Sequence, residues 1–232
     1  MTITQKFKKK NSLGWYNDYK KGKHMKVCEA GNPEAKTVFI QPIDEQSLST
    51  IDKQIAGIRQ MTENDFCFKA IIVDNWFSDL SPWKSPAVFG KDAFGDGAGN
   101  TLEYILDLCN DKSRTYYIGG YSLAALFSLW AVYQTDIFAG VAAASPSMWF
   151  PGFVDYMKEH DIKCKRVYLS LGDKEGKTKN KVMATVDDCI MAAQKILTER
   201  DTDCIFEWNP GNHFTDVGKR CARAFSRLLV TK

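Results

Sequence analysis

The sequence predicts an α/β protein built on a doubly wound, mostly parallel sheet with helices on both faces. Short β-rich runs alternate with helix-period patterns along nearly the whole chain. Some runs, such as "CFKAIIVDN" at Cys67 to Asn75, are nearly continuous in apolar residues, as a strand covered on both faces would be. With 232 residues, 44% of them hydrophobic, the chain can bury one substantial core.

The elements follow in order. "HMKVCEAG" at His24 to Gly31 reads as an early strand, and "KTVFIQPI" at Lys36 to Ile43 as a second, after the turn residues Gly31, Asn32 and Pro33. Their proximity suggests a hairpin at the edge of the sheet. Leu48, Ile51, Ile55 and Ile58 recur at helical spacing before the strand at Cys67. After a long irregular segment, "NTLEYILDLC" from Asn100 reads as a helix. "RTYYIGGYSLAALFSLWAV" from Arg114 then runs from a strand through two glycines into a second helix. Further strands are expected at Ile137 to Ser145, Lys165 to Gly172 and Asp203 to Asn209. Two amphipathic helices carry Val182, Val186, Ile190, Ala193 and Leu197, and Val217, Cys221, Ala224 and Leu228. With no repeat, low-complexity block or linker, residues 1–232 are expected to form one domain.

Composition narrows the function. A net charge of +3 is too small to argue for a nucleic-acid or membrane partner, and the basic run Lys6 to Lys10 reads as a solvated tail. No segment resembles a signal peptide or approaches the ~20 apolar residues of a membrane span. A soluble, cytoplasmic protein is expected. The seven cysteines are scattered and lack a C-x-x-C pair, so they read as reduced small hydrophobes, with no disulfide framework or zinc site. No metal and no cofactor is implied.

Ser122 is the candidate nucleophile, the alternative being a small residue at a turn. It stands between a buried strand and an apolar helix in G-Y-S-L-A, with Gly120 and Ala124 as the small residues that a nucleophile elbow needs on either side. Serine needs an imidazole base, and the imidazole needs a carboxylate to fix its tautomer. Of three histidines, His24 lies among lysines and His160 in "MKEHD", both surface settings. His213 instead follows the last strand in a Pro-Gly-Asn loop at the mouth of the last helix, where Asn212 or Thr215 would serve for capping. Glu175 or Asp173, after the strand ending at Gly172, supplies the acid; Asp173 would otherwise hold the loop. Leu123 would give one oxyanion N–H, and Ile43 or Asp44 the second, because Pro42 has none.

The segment from Asp74 to Asn100 holds Trp76, Phe77, Trp83, Phe89 and Phe94, and is too long for an ordinary connection. It follows a strand's carboxyl end, so it is either a structural wrap or a pocket wall or lid. Tyr121, Trp83 and Trp149 are the candidate substrate contacts. "GDGAGN" at Gly95 to Asn100 lacks a Walker lysine, and Asn100 with Glu103 fits a capping box.

The blocks "GGYSLAALFSLWA", "FAGVAAASPSMWF", "VYLSLGDKE" and "GNHFTDVGKR" together resemble the esterase D-like branch of the α/β-hydrolases, which includes siderophore and feruloyl esterases and mycolyltransferases. The resemblance runs from about Lys36 onward. It implies the α/β-hydrolase fold, with Ser122 as nucleophile, Glu175 as acid and His213 as base. Two positions depart from it: Ala124 replaces the usual glycine, and "QPIDEQ" stands where many members carry a His-Gly oxyanion loop. The expected activity is hydrolysis of a small-molecule carboxylic ester. Transfer of the acyl group to another alcohol, or a non-catalytic binding role on the same fold, are the alternatives.

Overall fold

The computed structural model describes residues 16–18 and 25–230, so His24 and the basic run Lys6 to Lys10 lie outside the described residues. In chain order the strands are β1 (Tyr16–Asp18), β2 (Lys26–Gly31), β3 (Thr37–Ile43), β4 (Phe66–Ile72), β5 (Thr115–Tyr121), β6 (Phe138–Ala144), β7 (Arg166–Gly172) and β8 (Asp203–Asn209). The helices are α1 (Leu48–Met61), α2 (Trp76–Asp79), α3 (Ala98–Leu106), α4 (Leu123–Gln134), α5 (Phe153–Glu159), α6 (Val186–Glu199) and α7 (Val217–Leu229).

The strands form one sheet in the order β1-β2-β4-β3-β5-β6-β7-β8. Pairing is antiparallel from β1 to β2 and from β2 to β4, and parallel across the rest. The expected hairpin of β2 with β3 does not form: β4 lies between them. The burial patterns explain the choice. β3 is buried at six of its seven positions and suits a central place, whereas β2 buries only part of its residues and takes the antiparallel margin, with Glu29 facing Lys69 of β4.

From β3 the chain lays β4 on one side and β5 on the other, which opens a crevice at the carboxyl ends of β3 and β5. Ser122 is the first residue beyond β5. One face of the sheet is covered by α1 and α7, whose Ile51, Ile55, Ile58, Ala224, Phe225 and Leu228 pack on Phe39, Phe68 and Tyr168. The other face carries α3, α4, α5 and α6. Residues all round α4 are buried, ten of its twelve, which is why "LAALFSLWAVY" shows no polar stripe.

Two helix boundaries differ from expectation. α3 starts at Ala98 with Gly97 before it, so Asn100 lies inside the helix and the Asn100–Glu103 capping box does not form. α6 starts at Val186 after a short 3-10 turn, and Val182 is left exposed ahead of it.

The segment after β4 packs on itself. Asn75 accepts from Ser78 N–H to start α2, Ser85 bridges Phe94, and Phe77, Phe89 and Phe94 meet edge to face. Trp83 anchors this segment to the core. Its indole N–H donates to the Pro151 carbonyl at 3.0 Å and its rings lie against Phe150, Phe153 and Tyr156, which gives the apolar body packing and the N–H a partner.

Candidate active site

Ser122 has φ 57° and ψ −121°, a conformation that costs a non-glycine residue of order 1–3 kcal/mol. It persists because the turn is pinned at both ends. Ser122 N–H donates to the Ala144 carbonyl of β6, and its own carbonyl accepts from Leu126 and Ser147 N–H. Gly120 makes the turn possible: a Cβ there would sit 2.8 Å from both the Cβ and the carbonyl carbon of Ala124. Strand and helix thus meet through Gly120 and Ala124, and a methyl is tolerated on the helix side only. The Leu123 N–H opens α4, where no preceding turn offers it a carbonyl.

His213 sits in the turn between β8 and α7. Asn212 and Thr215 bond to each other and to the Phe214 N–H, so they shape that turn, but they do not cap α7, whose first turn follows Asp216 with no side-chain cap. His213 Nδ1 lies 2.6 Å from Glu175 Oε2. Glu175 Oε1 accepts from Gly172 N–H at 2.7 Å, Ser145 Oγ at 2.8 Å and Arg220 Nη1 at 2.9 Å. Burial pushes the Glu175 carboxyl up, but hydrogen bonds from His213, Ser145 and Gly172 and the charge on His213 outweigh it and hold the group below the ordinary carboxylate value. Asp173 does not reach the histidine; its Oδ1 accepts from Gly211 N–H at 2.8 Å and so holds the loop.

Ser122, Glu175 and His213 open onto one cleft of about 300 Å³, walled by Phe89, Pro146, Trp149, Met183, Val186 and Phe214. Ser122 Oγ lies 3.3 Å from Ser147 Oγ, its hydrogen-bond partner in this conformation. Trp149 is on the wall as expected. Phe89 makes the segment between β4 and β5 both a wrap and a wall. Tyr121 and Trp83 are not among the wall residues; the Tyr121 hydroxyl donates to the His213 carbonyl at 2.8 Å and accepts from Arg220 at 3.0 Å. Ile43 ends β3 and Asp44 follows it, at the same end of the sheet as Ser122 and not among the residues lining the cleft. The Ile43 carbonyl accepts from Val73 N–H, and Asp44 Oδ1 from Ser47 N–H.

A strained serine between a central strand and a helix, at the switch point of this sheet order, decides the architecture. The chain has the α/β-hydrolase fold. Solved structures agree. An IroE-like serine hydrolase from Shewanella oneidensis superposes with a TM-score of 0.70 at 15% identity, covering 88% of this chain and 75% of that one. The siderophore hydrolase EstA of Aspergillus nidulans gives 0.67 at 16% identity, over 94% and 95%. A capsule O-acetyltransferase of Neisseria meningitidis gives 0.56 at 11% identity, over 95% and 96%. No family model and no curated protein sequence matches the chain.

Within this α/β-hydrolase fold, Arg220, Ser145 and Ser147 are site residues that sequence reasoning missed. Both serines stand in the quoted block "ASPSMWF", and Arg220 in "DVGKR". Their contacts join loops far apart in the chain, and no local pattern announces them. No disulfide joins the seven cysteines. Burial pushes the Cys164 and Cys221 thiols up to about 12, so neither offers a thiolate at neutral pH. Among the described residues, no helix is long and apolar enough to cross a membrane.

Proposed function

We propose that this chain is a serine hydrolase that cleaves a carboxylic ester through an acyl-enzyme. The observation that carries the reading is the 2.6 Å contact of Glu175 with His213 at the cleft that also holds the strained Ser122. With Nδ1 committed to the carboxylate, the other ring nitrogen, Nε2, is the base. Ser122 Oγ turns from Ser147 to that nitrogen, gives up its proton and attacks the ester carbon. The charge that gathers on the carbonyl oxygen is met by the Leu123 N–H, with the turn at Ile43 and Asp44 as the source of a second donor. The imidazolium then protonates the leaving alcohol. In the second half His213 takes a proton from water, whose oxygen bonds to the acyl carbon; the bond from that carbon to Ser122 Oγ then breaks, the imidazolium returns its proton to Oγ, and the carboxylic acid leaves.

The walls favour an uncharged, apolar acyl group, since Phe89, Pro146, Trp149, Met183, Val186 and Phe214 offer it no cation. Seven scattered cysteines without a C-x-x-C pair support a reducing, cytoplasmic setting. Transfer of the acyl group to an alcohol is the second reading, favoured by the shared fold of the capsule O-acetyltransferase. The test is hydrolysis of an activated short-chain ester together with labelling by a fluorophosphonate. Wild type should show both and Ser122→Ala neither; full activity in Ser122→Ala would overturn the assignment. Product analysis with competing alcohols separates hydrolysis from transfer.

A further inference from the structure

The proposed triad leaves one buried cation without a role. Arg220, in the first turn of α7, is 2% exposed, and its guanidinium reaches four separate parts of the chain. Nη1 is shared among Glu175 Oε1 at 2.9 Å, Tyr121 Oη at 3.0 Å and Ser145 Oγ at 3.2 Å, while Nη2 donates to the Pro210 carbonyl at 3.0 Å.

We infer that Arg220 is the positioning residue that holds the Glu175 carboxylate and the His213 loop in one register, an inference that rests on the serine-hydrolase reading. Three features support it. Arg220, Ser145 Oγ and Gly172 N–H together occupy Glu175 Oε1, so the carboxylate cannot rotate and Oε2 alone faces His213. The same guanidinium holds the histidine loop at two points: directly at Pro210, and through Tyr121, whose hydroxyl passes a hydrogen bond on to the His213 carbonyl. Burial pushes the Tyr121 phenol up to about 12, which keeps it a protonated donor at neutral pH. Finally, Gly172 leaves the space: a Cβ there would sit 2.9 Å from Glu175 Oε1 and 3.0 Å from Arg220 Nη2.

A lysine does not replace this arrangement. Its ammonium is a single point on a flexible stem, whereas the planar guanidinium reaches acid and histidine loop at once. The chemistry at Ser122 depends on imidazole orientation, and a misplacement of about 1 Å costs on the order of a hundredfold in rate.

The variants Arg220→Met, Arg220→Lys and Tyr121→Phe test the assignment, each checked for folding by circular dichroism and melting. On an activated short-chain ester, kcat of Arg220→Met should fall about a hundredfold while KM stays within about twofold. Arg220→Lys should recover only part of that loss, about tenfold short of wild type. The downfield proton of the His213–Glu175 hydrogen bond, read by NMR, should be sharp in wild type and in Ser122→Ala and lost in Arg220→Met. Folded Arg220→Met with wild-type kcat and an unchanged downfield proton would overturn the inference. If Arg220→Met does not fold, wild-type kcat in both Arg220→Lys and Tyr121→Phe overturns it equally. A wild type that hydrolyses nothing, yet loses its downfield proton in Arg220→Met, would remove the hydrolase reading and keep the clamp.

Discussion

Glu175 Oε2 lies 2.6 Å from His213 Nδ1, while the carboxylate of Asp173, two residues earlier, is spent on the Gly211 N–H at 2.8 Å. Two acids that the sequence leaves open thus have separate duties, one orienting the imidazole and the other closing its loop. Glu175→Gln should keep the shape but present the wrong hydrogen-bond partner, and kcat should fall by about 10⁴, the scale known for an amide in that place of a triad. Asp173→Asn should cost about 1 kcal/mol of stability through the weakened loop bond and leave kcat within about tenfold. Steady-state kinetics and urea unfolding of the two variants separate these effects, and equal losses of kcat would contradict the division.

The elbow makes a second pair of expectations. Gly120→Ala brings a methyl to 2.8 Å from the Ala124 backbone, and no rotamer change relieves a clash with main chain. It should destabilise the fold by about 1–3 kcal/mol and displace Ser122, so that fluorophosphonate labelling fails. Ala124→Gly restores the commoner elbow pattern and should still label, at a cost of about 1 kcal/mol in helix propensity. Labelling and denaturant midpoints measured on both variants check this.

The contrast between these positions shows what a sequence displays. Ser122 and His213 were legible because each lies at a strand-to-helix junction marked by glycines and a change of hydrophobic period. Strands β3, β4, β6 and β7 were legible because consecutive apolar residues need cover on both faces. The partner of β2 was not, because hairpin proximity and burial disagree and only the sheet as a whole settles which strand takes the margin. Arg220 was invisible, since a lone arginine near a helix start is ordinarily solvated, and what buries it are a carboxylate 45 residues away and a phenol 99 residues away. Trp83 and Tyr121 show the converse: an aromatic near a catalytic block suggests a substrate contact, yet neither lines the cleft and both donate to backbone carbonyls.

The lowered Glu175 carboxyl sets a direction for acid stability. The unfolded chain takes up that proton at a higher pH than the folded one, so the contribution is complete above the ordinary carboxylate value and is lost as pH falls through the lowered folded value. From about pH 6 to about pH 3, the urea midpoint of wild type should therefore fall more steeply than that of Glu175→Gln, which has no proton to gain. Parallel curves would show that Glu175 gains nothing from its partners.

Thiol chemistry gives an independent check on the nucleophile. Burial raises the thiols of Cys67 to about 11 and of Cys109, Cys164, Cys204 and Cys221 to about 12. Cys189 is partly exposed on α6 and lies outside the cleft walls. Iodoacetamide at neutral pH should modify Cys189 first, as read by peptide mass, and ester hydrolysis should survive that modification. Loss of activity in step with alkylation would move the chemistry from Ser122 to a cysteine.

Phe89 offers the most direct probe of the acyl pocket. It is 41% exposed, reaches the cleft from the segment between β4 and β5, and stands edge to face with Trp149 at 5.8 Å. Trp149 is nearly buried and also packs on Phe94, so its removal would disturb the core as well as the pocket. Phe89→Ala separates the two effects because its ring is already half in water. An acetyl group is too small to lean on that ring, whereas a longer apolar acyl chain gains contact with it, worth about 1–2 kcal/mol at ordinary transfer values. For Phe89→Ala, kcat/KM on a longer-chain ester should fall by roughly tenfold while the acetyl ester is unaffected. Equal loss on both esters would mean that Phe89 supports the shape of the site, and that the acyl group lies elsewhere along the cleft.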